Sequence, residues 1–101
     1  MAEEQVRRQL RVVNREGIHA RPAAMLVGLA NRFQSQIALI KGDQRVDAKS
    51  IMDVMMLAAE QNTPLLLEVL GVDAQAAADA IERMIVEEFR EEDASPGVSA
   101  P

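Results

Sequence analysis

Residues 17–24, Gly17-Ile18-His19-Ala20-Arg21-Pro22-Ala23-Ala24, are the most informative eight in the chain. Before them, Asn14-Arg15-Glu16-Gly17 has turn composition. After them begins a long apolar-periodic stretch, and a proline at its head marks a helix start. His19, the one histidine present, then lies at a helix N-terminus. Unpaired amides and the positive end of the helix dipole concentrate there, so an anion is favoured beside the ring. The backbone of Ala20 and Arg21 is the expected phosphate-binding element, and the Arg21 guanidinium lies two residues from the ring. A nucleophilic ring, an anion site and a guanidinium in so short a segment point to phosphoryl chemistry on His19. Taken alone, a histidine at a helix start is more often a surface residue or a cap. The Gly-x-His-x-Arg-Pro spacing, a second motif downstream and the order of elements favour the chemical reading.

On the N-terminal side, Val6 to Val13 alternates loosely and reads as a strand. On the C-terminal side, Leu26, Leu29, Ala30 and Phe33 recur at helical spacing from Ala20 to about Arg32. Gly28 interrupts that pattern at a cost of about 1 kcal/mol relative to alanine in an exposed helix; a close helix-to-sheet contact is the expected reason. Ile37 to Ile40 is a second strand, Lys41-Gly42-Asp43-Gln44 a hairpin turn, and Arg45 to Ala48 a third strand. Ser50 opens a short helix to about Ala59, broken by Asn62-Thr63-Pro64. Leu65 to Leu70 is apolar enough for a central, buried strand. Asp73 then caps a long helix with Ala77, Ile81, Ile85 and Phe89 on one face. The breaker-rich stretch 93–101 reads as a disordered tail behind a domain spanning 1–92. The order β-α-β-β-α-β-α predicts an α+β fold with an antiparallel sheet and helices on one face. Order alone favours a ferredoxin-like split arrangement.

Composition narrows the chemistry. There is no cysteine, so disulfides and thiolate metal sites are excluded, and one histidine cannot form a His-rich metal site. No metal or cofactor is expected. The start, Met1-Ala2-Glu3-Glu4, lacks the apolar segment of a secretory signal, and no apolar run approaches a bilayer span. A cytoplasmic location without membrane insertion is expected. A net charge of −5 argues against nucleic-acid binding. The charge is uneven: residues 1–21 carry a net +2 and residues 82–93 a net −4. A basic end that holds the histidine suits a phosphorylated or acidic partner.

The second motif is Ala48-Lys49-Ser50-Ile51-Met52-Asp53. A serine at the N-cap with an acid three residues on is a capping-box pattern. Ser50 is therefore a cap, and also a candidate regulatory phosphorylation site, since a capping hydroxyl at the surface is open to a kinase. Asp53 would oppose the added charge. Ile51, Met52, Met55 and Met56 recur along the same short helix, which cannot bury them all. Some face solvent near His19 as an adaptable docking patch, with Ile51, Met52 and Met55 the chosen candidates.

Gly17-Ile18-His19-Ala20-Arg21-Pro22-Ala23 resembles the active-site signature of the HPr family, the histidine phosphocarriers of the bacterial sugar phosphotransferase system. Lys49-Ser50-Ile51-Met52-Asp53-Val54-Met55 resembles that family's regulatory serine segment, and the likeness spans roughly residues 5–90. The resemblance implies an open-faced β-sandwich: four antiparallel strands in the order 1-4-2-3 and three helices on one face. This replaces the ferredoxin-like expectation. It implies that His19 accepts a phosphoryl group on Nδ1 from phosphorylated enzyme I and passes it to the IIA component of a sugar permease. Arg21 would assist. A kinase of the HPr kinase/phosphorylase type would modify Ser50, and a catabolite-control transcription regulator would be a further partner. Such a protein is a monomeric carrier with a transient phosphohistidine rather than an autonomous enzyme. Asp53 departs from relatives that have glycine there. The alternative is a regulatory binding protein controlled through Ser50, with His19 idle and no sugar transport.

Overall fold

The structure, a computed structural model, describes residues 3–90; the stretch 93–101 lies outside them. The elements are β1 (Glu4–Arg11), α1 (Ala20–Ala30), β2 (Gln36–Lys41), β3 (Gln44–Asp47), α2 (Ile51–Leu57), β4 (Pro64–Gly71) and α3 (Ala74–Arg83), with α3 continuing as a π-helical segment, Met84–Glu88. The strands form one antiparallel sheet in the order β1-β4-β2-β3. The open-faced sandwich is thus the fold, and the ferredoxin-like expectation from element order alone does not hold. β4 inserts between β1 and β2, a pairing that order cannot specify.

Strand alternation sets the layers. Leu10, Ile37, Leu39, Val46, Leu65, Leu67 and Val69 face the helices, where Leu26, Val54, Leu57, Ile81, Ile85 and Phe89 meet them in one core. Each such aliphatic side chain contributes roughly 1.5–3 kcal/mol on full burial. The opposite face is open. β4 is central but covered on one side only, so Leu66 is half-buried and Leu70 exposed, against the expectation of a fully buried strand. On the open face Arg7 and Arg45 both bond the Glu68 carboxylate, with Arg7 Nη2 at 2.6 Å. Their guanidinium groups, Arg45 first, hold that carboxyl below its ordinary range. Gly28 is exposed with open space around its Cα, so no close contact to the sheet accounts for it.

The last helix explains its own irregularity. Ala77, Ile81, Ile85 and Phe89 are fully buried and spaced by four residues. An ideal α-helix advances 3.6 residues per turn, so such a row drifts around the axis. The wider π turn over Met84–Glu88 compensates and brings Phe89 into the core.

Asp73 stands at the N-cap of α3, but its side chain makes no capping bond. Its carboxylate instead accepts from the backbone N–H of Gln34 and of Ser35, each at 2.9 Å, and from the Ser35 hydroxyl. It thereby fastens the loop between α1 and β2. These donors, the Ser35 hydroxyl foremost, hold the Asp73 carboxyl below its ordinary range. A depressed folded-state value stabilises the fold above the unfolded value, and that contribution is lost as pH falls through the folded one. Asp73→Asn is therefore expected to melt below wild type at neutral pH. The gap should narrow in acid, below about pH 4; parallel melting curves across that range would refute the assignment.

Candidate functional site

The segment between β1 and α1 is built to hold His19 at the head of the helix. Val12 leaves the sheet ladder yet stays tied to the loop before β4, donating to the Thr63 carbonyl at 3.0 Å and accepting from Asn62 N–H at 2.8 Å. A turn follows, in which Gly17 N–H donates to the Asn14 carbonyl at 3.2 Å and the buried Asn14 amide donates to the Gly17 carbonyl at 2.7 Å. Gly17 adopts φ +72°, a region that disfavours side chains. Ile18 N–H then donates to the Ala59 carbonyl at 2.8 Å, fixing the site to the chain just beyond α2.

His19 occupies the N-cap of α1 in extended conformation, and its ring makes no capping hydrogen bond. The capping role open to a lone histidine is thus not taken up. The side chain is 47% exposed, and Nε2 lies 3.4 Å from Glu16 Oε1. The first i→i−4 bond of α1 runs from Ala23 N–H to the His19 carbonyl at 2.8 Å. The amides of Ala20 and Arg21 therefore precede the ladder in the first turn, and Pro22 adds no donor. No acidic residue occupies that turn. This leaves a positive helix end, two amides and an exposed arginine close in sequence to an accessible imidazole.

Ser50 is found at the N-cap of α2, where its Oγ accepts from Asp53 N–H at 3.2 Å. The reciprocal half of the box is absent: the Asp53 carboxylate accepts from Asp47 N–H at 3.3 Å instead. Asp47 in turn accepts from Lys49 N–H at 2.9 Å, so two carboxylates flank Ser50. The Asn31 amide at the C-cap of α1 reaches both the Val27 carbonyl and the Lys49 carbonyl, at 2.9 and 3.1 Å. Ser50 therefore sits at the far end of α1 from His19, about 16 Å away for an eleven-residue helix. The two motifs do not form one site. α2 connects them, its first turn beside Ser50 and its exit at Ala59 against Ile18.

On α2 only Val54 and Leu57 are buried. Ile51, Met52, Met55 and Met56 are exposed, with Met52 at 70% and Met56 at 67%. The patch is larger than the chosen three residues, and Met56 belongs to it. Ile51 and Met52 lie toward Ser50, while Met55 and Met56 lie toward His19. Lys41 Nζ binds the Leu57 carbonyl at 2.9 Å and Gln44 Nε2 the Met56 carbonyl at 3.3 Å, bracing the exit of α2. Three of the five arginines of residues 1–21 are engaged away from the histidine. Arg7 pairs with Glu68, Arg8 with Asp79 and Glu82, and Arg11 with the Asn62 carbonyl. Glu16 and Asn14, which read only as turn residues in the sequence, shape the site; no periodicity or motif signals their roles.

Among the described residues, no group of three or more His, Asp or Glu side chains is placed to hold a metal ion, and no helix is long and apolar enough to cross a membrane.

Comparison with known proteins places the chain in one family. Residues 6–87 match the family model described as PTS HPr component phosphorylation site. The chain is 52% identical over 83 residues to the phosphocarrier protein HPr of Treponema pallidum, covering 82% of this chain and 94% of that one. The crystal structure of HPr from Bacillus anthracis superposes with a TM-score of 0.78 at 36% identity, over 80% of this chain and 96% of that one. The Bacillus subtilis catabolite repression protein Crh, described as a domain-swapped dimer, gives a TM-score of 0.64 at 36% identity, over 87% and 95% of the two chains. The fold is what the structure and these relatives share. The chain belongs to the HPr family, the phosphocarrier component of the phosphotransferase system.

Proposed function

We propose that this protein carries a phosphoryl group on His19, taking it from phosphorylated enzyme I and giving it to a IIA component of the phosphotransferase system. The observation that carries this reading is the chain's single imidazole, exposed and unused by its own helix, at the mouth of an anion-favouring helix start. A neutral ring nitrogen is a competent nucleophile near pH 7. The Ala20 and Arg21 amides and the Arg21 guanidinium receive the charge of the transferred group. In-line transfer between two positioned nucleophiles then needs mainly geometry and electrostatics, so the protein acts as a substrate-like carrier rather than a catalyst. Ile51, Met52, Met55 and Met56 form the docking patch for its partners. On this reading it works in the cytoplasm as a monomer. Incubation with enzyme I and labelled phosphoenolpyruvate should give acid-labile label; its absence would rule the carrier out.

We further propose that Ser50 is a regulatory phosphorylation site for an HPr kinase, in line with the family's serine segment, and so tunes docking to a transcription regulator. The likeness to Crh, described as a catabolite repression protein, supports such a regulatory role. Asp47 and Asp53 oppose a phosphate there, so modification is slow. Wild type should take acid-stable label from the kinase and ATP, and Asp53→Asn should take it faster. Ser50→Ala should take none and lose about 1 kcal/mol of stability with its cap. Equal incorporation by wild type and Ser50→Ala would exclude the site.

A further inference from the structure

The turn ahead of His19 does more than lead into the helix. It sets a carboxylate beside the ring, with Glu16 Oε1 3.4 Å from Nε2. The backbone carrying Glu16 is pinned by the Asn14–Gly17 bonds and by Ile18 on the Ala59 carbonyl. In a neutral imidazole one nitrogen bears the proton and the other the lone pair, and the partner of one decides the state of the other. An ionised carboxylate can only accept. The proton is therefore drawn to Nε2, and the lone pair is left on Nδ1.

We propose that Glu16 is a positioning residue for phosphoryl transfer. It holds the Nε2 proton, leaves the Nδ1 lone pair for attack on phosphorus, and stabilises the positive charge the ring acquires. This rests on the carrier reading above. The step balances without any further reactant. The Nδ1 lone pair forms the N–P bond while the donor's bond to phosphorus breaks and its electrons leave with the donor. The ring, with its proton still on Nε2, becomes cationic beside the carboxylate. In onward transfer the N–P electrons return to Nδ1 and the ring is neutral again. The carboxylate faces Nε2 while phosphorus is held at Nδ1, so the two negative groups address different atoms of the ring.

The test pairs long-range proton–nitrogen NMR of the ring, above neutral pH, with single-turnover transfer from phosphorylated enzyme I, on wild type, Glu16→Gln and Glu16→Ala. Wild type should show the Nε2–H tautomer alone. Glu16→Ala should gain a resolvable Nδ1–H population and slow transfer by about three- to fivefold, the scale of a largely exposed charge pair. Glu16→Gln should keep the tautomer, because its amide oxygen still accepts, yet lose part of the rate with the charge. Wild-type tautomer and rate in Glu16→Ala would overturn the proposal. Failure of the carrier reading shows separately, as unlabelled wild type, while the NMR arm still decides whether Glu16 holds the ring proton.

Discussion

His19→Ala is expected to reduce acid-labile label from phosphoenolpyruvate and enzyme I to background, a loss of at least about a thousandfold. The loss should be complete because the chain has no other histidine to take the group. It is also separable from stability. The ring is half exposed and caps nothing, and its residue lies in ordinary extended backbone. Its removal should change unfolding free energy by no more than about 0.5 kcal/mol. A melting curve close to wild type, together with lost label, is the expected pair of results. Label that survives the substitution would place the acceptor elsewhere and end the phosphohistidine reading.

Gly17→Ala should produce the largest combined loss of stability and function outside His19. An alanine there must hold φ near +72°, and its Cβ would press into the Ala59 carbonyl oxygen and approach Glu60 Cα to 2.8 Å. Both neighbours are backbone, so neither can swing aside as a side chain would. The left-handed conformation alone costs an alanine roughly 1–2 kcal/mol, and the collision brings the total to about 2–4 kcal/mol. The strain falls on the turn that ends in the Ile18–Ala59 bond, directly ahead of His19. Displacing a reacting group by an ångström can cost about a hundredfold. Transfer by the folded fraction should therefore drop by about ten- to a hundredfold, measured well below the melting midpoint. Gly28→Ala is the control: that glycine is exposed with no atom near the added carbon. It should stabilise the helix by about 0.5–1 kcal/mol. Similar behaviour of the two variants would mean that Gly17 has no special role.

The elements themselves were legible because each depends on local chemistry. Pro22 and the apolar row behind it announce α1, Gly42 the β2–β3 turn, and Ser50 the start of α2. The four-residue spacing of Ala77, Ile81, Ile85 and Phe89 announces a buried helix face, though not the π turn that keeps Phe89 on it. Asp73 shows where such reading stops. Its position marks a cap, yet its carboxylate binds residues 34 and 35, which only the fold brings near. Asp53 is a milder case, its carboxylate turned to Asp47 rather than back to Ser50.

By itself the sequence determined the place of its one histidine at a helix start, the serine cap and the order of strands and helices. These follow from one histidine, one proline and the periodicity of side chains, all properties of neighbours along the chain. Tertiary structure decided that β4 lies between β1 and β2 and that the sheet keeps one face open. It decided that His19 and Ser50 stand at opposite ends of α1, and that the Ala59 carbonyl holds the Ile18 N–H just ahead of the ring. Those outcomes depend on contacts between distant segments, with geometry set by packing the whole core, and no local pattern encodes them.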